Sequence, residues 1–177
     1  MRTAQLQKEF GLTLRYTVFP LHPETPDAGM ALAELFAGRG YDLDAMFARL
    51  HAVAAEVGLP LNTRTHTYNS RRAQELGKWA ETLGKGDAFR DAIYHAFFVD
   101  GRNIARPDEL TAIVRAIGLS ADTALKILQD ETFSAAVDAD WQRARQLGVN
   151  AVPTLRYREQ LLVGFTPYET MRKFVAG

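Results

Sequence analysis

The spacing of apolar residues along the chain changes period three times. Leu6 and Phe10 lie four apart with Gly11 just beyond, which predicts the closing turns of a helix and its stop. Residues 12–19 alternate instead, with Leu12, Leu14, Tyr16 and Val18 on one side and Thr13, Arg15, Thr17 and Phe19 on the other. Period two with β-branched and aromatic residues predicts a strand. Pro20, Pro23 and Pro26 follow at a density that no helix or ladder survives, so the chain there is an extended loop.

From about residue 28 to 147 the period is helical. A short helix covers about 30–37. Asp42 caps one bearing Met46, Phe47, Leu50, Val53 and Val57, closed by Gly58. Asn69 or Ser70 starts the next, with Ala73, Leu76, Ala80 and Leu83 on one face. Phe89, Ile93 and Phe97 mark a helix over about 87–99. Pro107 opens another, Ser120 caps another, and Phe133, Val137, Trp141 and Ala144 mark the last, stopped at Gly148. Alternation then returns in 154–158 and 161–165, with Glu159-Gln160 as a hairpin turn that lacks the usual Gly or Asn. Thr166, Pro167 and Glu169 predict a capping box for a closing helix with Met171, Phe174 and Val175 on its apolar face. The early strand belongs with the late hairpin, so the helical block is an insertion. The expected division is an α/β core of residues 1–27 and 148–177 and a helical insertion domain of 28–147.

Composition narrows the functions. Lys+Arg and Asp+Glu are both 21 of 177 residues, which argues against a general nucleic-acid binder. No apolar run approaches the roughly 20 residues of a membrane span, and the first residues have no apolar signal core. A soluble cytoplasmic protein is the expectation. Cysteine is absent, which removes disulfides, thiolate metal ligands and thiol nucleophiles from the chain as given.

Candidate chemistry is sparse. His22, His51, His66 and His95 form no H-E-x-x-H pattern, so no metal site is expected. No phosphate-binding glycine loop occurs. Ser70 and Ser120 lack a nucleophile elbow and sit where helix caps belong; a hydrolase would need a histidine and a carboxylate converging on one of them. Arg64, His66, Arg71 and Arg72, with Asn69 between, form a basic cluster that can receive an anion at a helix start. A solvated face is the more economical reading of it.

Two segments carry more information. Gly148-Val-Asn-Ala-Val-Pro-Thr154, a strand, a turn, Leu162-Val-Gly-Phe-Thr-Pro-Tyr-Glu169 and a helix together resemble the C-terminal end of the DsbA family of thioredoxin-fold proteins. That family shows a G-V-x-G-V-P-T segment followed by a G-x-Q-P-x-E-like one. His22-Pro-Glu-Thr-Pro26, Asn69-Ser-Arg-Arg-Ala73 and Phe97-Phe-Val-Asp-Gly-Arg-Asn-Ile104 resemble its cytoplasmic FrnE-like branch. The related 2-hydroxychromene-2-carboxylate isomerases share the architecture and use glutathione. The likeness spans about residues 3–175.

The resemblance implies a thioredoxin-like core with a large all-helical insertion. It makes Val152–Pro153 a cis-proline loop, with Val152, Pro153 and Thr154 contacting a thiol- or disulfide-bearing protein or peptide, or glutathione. Asn69 and Phe98 are weaker contact candidates from the helical lid. The family's C-x-x-C, or the isomerases' serine, sits at the start of the first helix, where the helix dipole and free N–H groups lower a thiol's pKa. Residues 3–10 resemble the second half of that helix. The first strand and the catalytic motif are therefore expected before Met1, and no catalytic residue is carried over to this sequence. Three sources for the strand stay open: an upstream start, a second chain such as the other copy of a homodimer, or residues 12–19 moving to pair with the hairpin. The expected activity is that of a thiol–disulfide oxidoreductase family protein that is redox-inactive as given. The alternatives are a glutathione-dependent isomerase and a non-enzymatic binding or self-associating module. No cofactor beyond glutathione is implied.

Overall fold

A computed structural model describes residues 2–177. The elements run α1 (Arg2–Phe10), β1 (Met30–Ala31), α2 (Leu32–Leu35), α3 (Leu43–Glu56), β2 (His66–Thr67), α4 (Arg71–Thr82), α5 (Gly86–Phe98), α6 (Pro107–Ala116), α7 (Ala121–Gln129), α8 (Ser134–Gln146), β3 (Thr154–Tyr157), β4 (Gln160–Val163) and α9 (Tyr168–Ala176). They fall into two compact units, a helical one of His22–Asp138 and a terminal one of residues 1–21 with Ala139–Gly177.

Local signals set most helix ends of the helical unit. Asp42 accepts the Ala45 N–H at 3.0 Å to cap α3, and Ser120 accepts the Thr123 N–H at 3.2 Å to cap α7. Pro107 occupies the first turn of α6, where its missing N–H costs nothing. The start of α4 is set by Asn69, not Ser70: the Asn69 side chain accepts the Arg71 N–H at 2.8 Å, and Ser70 makes no capping bond. The apolar faces of α4, α5, α6 and α7 close on one core around Leu76, Phe89, Leu110 and Val114. A two-residue antiparallel ladder, Met30–Ala31 against His66–Thr67, fastens the segment before α4 to the segment before α2.

The terminal unit packs α1 and α9 against the β3–β4 hairpin. Leu6, Met171 and Val175 are buried at its centre, ringed by Phe10, Leu155, Tyr157, Leu162 and Phe174. The hairpin register is Thr154 opposite Val163 through Tyr157 opposite Gln160. Its turn is Arg158-Glu159, one residue earlier than the alternation suggests, with Arg158 in the left-handed region at φ 54°.

Two expectations are corrected. Residues 12–19 form no strand. Alternation assigns faces, but a ladder needs a neighbouring row of N–H and C=O groups, and no strand of the described residues lies over 12–19. The Val18 N–H goes to the buried Asp140 carboxylate at 3.1 Å instead. The capping box at Thr166 does not form either. Pro167 is extended at ψ 152° and is itself the residue flanking α9, and no side chain caps that end. A residue before proline is driven out of helical geometry, and the Thr166 carbonyl instead accepts from Arg2 at 2.8 Å.

Helices α1 and α9 share a polar clasp in which Glu9 accepts from both the Tyr168 hydroxyl and Arg172. The hydrogen bond to Glu9, backed by desolvation and that carboxylate's charge, pushes Tyr168 up to about 12. The bonds from Tyr168 and Arg172 hold Glu9 below its ordinary value. Tyr168 is thus raised in the fold, so its contribution is complete below the ordinary tyrosine pKa near 10 and is lost as pH climbs through about 12. Glu9 is depressed, so its contribution holds above the ordinary carboxylate range and is lost on acidification through its lowered value. An ultraviolet phenolate titration of the six tyrosines should show one step near 12 that Tyr168→Phe removes. A step that survives the substitution refutes the clasp.

Candidate functional site

In the terminal unit, α8 ends where Gly148 turns at φ 68° and the Val149 N–H returns to the Ala144 carbonyl at 3.0 Å. The chain then runs to Thr154, the first residue of β3, through a cis Val152–Pro153 bond. Two bonds hold this loop. The Thr154 hydroxyl donates to the Ala151 carbonyl at 2.7 Å, and the Gly164 N–H donates to the Pro153 carbonyl at 2.8 Å. Val152 and Pro153 stay exposed, with Val152 45% accessible. The loop is thus a fixed, exposed length of backbone at the head of a short hairpin.

Asn69 and Phe98 lie in the helical unit, on different cavities. Asn69 borders one of about 270 Å³ with Asp27, Arg71, Arg72 and Glu75. Its amide donates to the carbonyls of Pro23 at 3.2 Å and Thr25 at 2.9 Å while its oxygen holds the start of α4. It thereby ties the proline-rich loop to the start of α4. Phe98 borders a cavity of about 330 Å³ walled by residues 62–66, Tyr68 and 97–101.

The basic cluster is divided between these cavities. Arg71 bonds Glu75, Asp138 and Ser134, and Arg72 pairs with Asp27 at 2.6 Å. Arg64 and His66 stay on the wall of the larger cavity, which is built by extended chain. The Leu32 N–H reaches the Thr65 carbonyl at 2.8 Å next to the β1–β2 ladder. Asn62 clamps the far end, its N–H to the Phe98 carbonyl at 3.0 Å and its side chain to the Val99 carbonyl at 2.6 Å. Gly29, at φ 95°, lies so close to Tyr68 that a Cβ there would stand 2.6 Å from the ring. A larger residue at 29 would therefore push that wall inward.

Within this wall the Arg64 guanidinium lies 4.6 Å from the Phe97 ring centre and 5.4 Å from that of Phe98. Burial pushes its pKa below the ordinary arginine value. His22 is lowered as well, first by burial and then by the charges of Arg39 and Arg64. Asn62, Thr63 and Tyr68 were not among the residues expected at a site. A signal for Tyr68 was present: Arg64, His66 and Tyr68 recur at every second position, which an extended segment places on one side.

Residues 1–176 match the model of the DSBA-like thioredoxin domain. The chain belongs to the DsbA-like thioredoxin family. A probable DsbA oxidoreductase from Streptomyces coelicolor is similar to this DsbA-like chain at 26% identity and a TM-score of 0.89, over 99% of this chain and 80% of that one. A 2-hydroxychromene-2-carboxylate isomerase shares the fold at 20% identity and a TM-score of 0.75, over 99% of this chain and 84% of that one. No curated protein matches it. The fold is thus the DsbA-like thioredoxin one, dominated by helices. Among the described residues, no helix is long and apolar enough to cross a membrane.

Proposed function

We propose that these 177 residues bind a thiol- or disulfide-bearing peptide non-covalently at the Val152–Pro153–Thr154 loop and do not themselves cycle a dithiol. The observation that carries this reading is the loop's geometry: exposed backbone, fixed by two hydrogen bonds, at the start of β3. Such backbone suits an extended chain that adds alongside it by main-chain hydrogen bonds, with Val152 as an apolar contact. Thiol–disulfide exchange runs through a mixed disulfide formed by an attacking thiolate, and the sequence holds no cysteine to form one.

The alternative ligand is glutathione, with isomerase chemistry of the kind named for one structural neighbour. That neighbour lies below the identity at which activity transfers, so only the shared fold supports this alternative. Calorimetric titration with a cystine-containing peptide and with glutathione separates the two ligands. The expected result is peptide binding that Val152→Asp weakens by about tenfold, roughly 1.4 kcal/mol. An insulin-reduction assay should show no turnover above background. Turnover by this chain, or peptide binding indifferent to Val152→Asp, would sink the reading.

A further inference from the structure

Glu75 of α4 is a carboxylate that the fold buries and only half satisfies. Its side chain is 7% exposed. One oxygen accepts from the Arg71 Nε at 3.0 Å, and the other accepts from nothing among the described residues. No buried side-chain nitrogen or oxygen of the described residues lacks a partner, so this second oxygen is one that reaches open space. That space is the cavity of about 270 Å³ that Glu75 lines. A charged acceptor left bare at a nearly dry position costs free energy unless a donor meets it.

The charges around this cavity leave it acidic. Arg71 is spent on Glu75, Asp138 and Ser134. Arg72 gives one terminal nitrogen to Asp27 at 2.6 Å and to the Ala105 carbonyl at 3.0 Å. Two guanidiniums thus stand against four carboxylates, Asp27, Glu75, Glu131 and Asp138, and two negative charges stay uncancelled. Glu131 has no partner among the described residues. Just past α3, α4 and α6 the left-handed position is taken by Gly58, Gly84 and Gly118, whereas past α7 it is taken by Glu131 at φ 49°. Glycine adopts that geometry without strain, so a side chain is kept there against backbone preference, on the border of the cavity.

We propose that this cavity binds a primary organic ammonium, its charge on the free oxygen of Glu75 within the field of Asp27 and Glu131, and its short apolar body against Leu128. A bare metal ion does not suit the site, because among the described residues no three acids or histidines lie close enough together to hold one. A volume of about 270 Å³ also far exceeds the roughly 30 Å³ share of one water, which leaves room for a body behind the charge. A guanidinium suits it less well, since its planar fork pairs with both oxygens of one carboxylate and Glu75 offers one. An ammonium is a compact charge that meets single oxygens. The proposal does not depend on the thiol-ligand reading, which concerns the other unit, and its failure would leave that reading untouched.

The test uses the full chain and four probes, cyclohexylmethylammonium, cyclohexylmethanol, tetramethylammonium and inorganic phosphate, titrated by calorimetry at low salt. Saturable cyclohexylmethylammonium binding is expected. The alcohol lacks the charge and tetramethylammonium lacks the N–H groups, so both should bind about tenfold more weakly or worse, as should phosphate. Glu75→Gln should weaken the ammonium by a similar factor. Glu131→Gly should weaken it about threefold, the worth of a solvated charge, while its melting temperature stays equal or rises, a separation that a merely structural role would not produce. Circular dichroism melts check that the variants fold, and the comparison of probes on the unaltered chain needs no variant. Alcohol, tetramethylammonium or phosphate binding as tight as the primary ammonium overturns the proposal. So does a Glu75→Gln or Glu131→Gly chain that folds and binds unchanged, or no saturable binding at all.

Discussion

Leu76→Ala is expected to lower stability by about 3–4 kcal/mol, within the range measured for deleting a fully buried leucine. Leu76 has no exposed surface and lies on the inner face of α4, in one cluster with Phe89 and Ile93 of α5 and Ala124 and Ile127 of α7. Removing its three terminal carbons loses their transfer energy and leaves a cavity that α4 and its neighbours cannot collapse to fill. Much of the cost is the cavity itself, so the loss should exceed the roughly 2 kcal/mol of simple transfer. Urea unfolding reads it as a shift of the midpoint with little change in slope. Leu125→Ala, at a position 36% exposed on α7, is the control and should change stability by about 0.5 kcal/mol or less. A loss under about 1 kcal/mol at Leu76 would show that this core is not packed as described.

What the sequence makes legible follows from the range of each interaction. Asp42, Ser120 and Pro107 act on groups within three residues of themselves, so their roles as helix signals can be read without knowing the fold. The core face of α4 is legible for the same reason, since Ala73, Leu76 and Ala80 recur at helical spacing. Residues 12–19 mislead because alternation is local while a ladder partner is not. The β1–β2 ladder is invisible in the opposite sense: two residues on each side carry no period, and Met30 meets Thr67 only after the chain has run through α2 and α3.

The candidate site divides along the same line. Val152, Pro153 and Thr154 stand out because a helix stop, a β-branched residue before proline and a strand start are neighbours in sequence. Asn69 is half legible. Its place at a helix start is local, but its hold on the Pro23 and Thr25 carbonyls spans more than forty residues. Arg64, Arg71 and Arg72 look alike in sequence as one basic cluster. What separates them is whether a distant acid, Asp27 or Asp138, reaches the guanidinium, and only the fold decides that.

Arg71 turns that distinction into the second large expected effect. Its Nε donates to Glu75 at 3.0 Å, one terminal nitrogen donates to Asp138 at 2.7 Å, and the other donates to the Ser134 carbonyl at 3.0 Å and hydroxyl at 2.6 Å. The α4 start is thereby tied to the first turns of α8 within the helical unit. Burial works against the charge of Arg71, but the bonds it donates to Asp138 and Glu75, with the charges of those carboxylates, outweigh it and its pKa is raised. Glu75 is the partner at risk, since its side chain is only 7% exposed, whereas Asp138 at 64% is well solvated. Arg71→Met strands a nearly buried carboxylate and should cost about 3–5 kcal/mol. Asp138→Asn leaves the buried pair intact, and a largely exposed partner is worth about 1 kcal/mol or less. The decisive variant is the double one, Arg71→Met with Glu75→Leu. With no charge left to desolvate, it should recover most of the single-variant loss, because an apolar pair of similar volume replaces a buried ion pair at little net cost. A double variant that is less stable than Arg71→Met would mean that the guanidinium stabilises the unit mainly through Ser134 and α8, and not by neutralising Glu75.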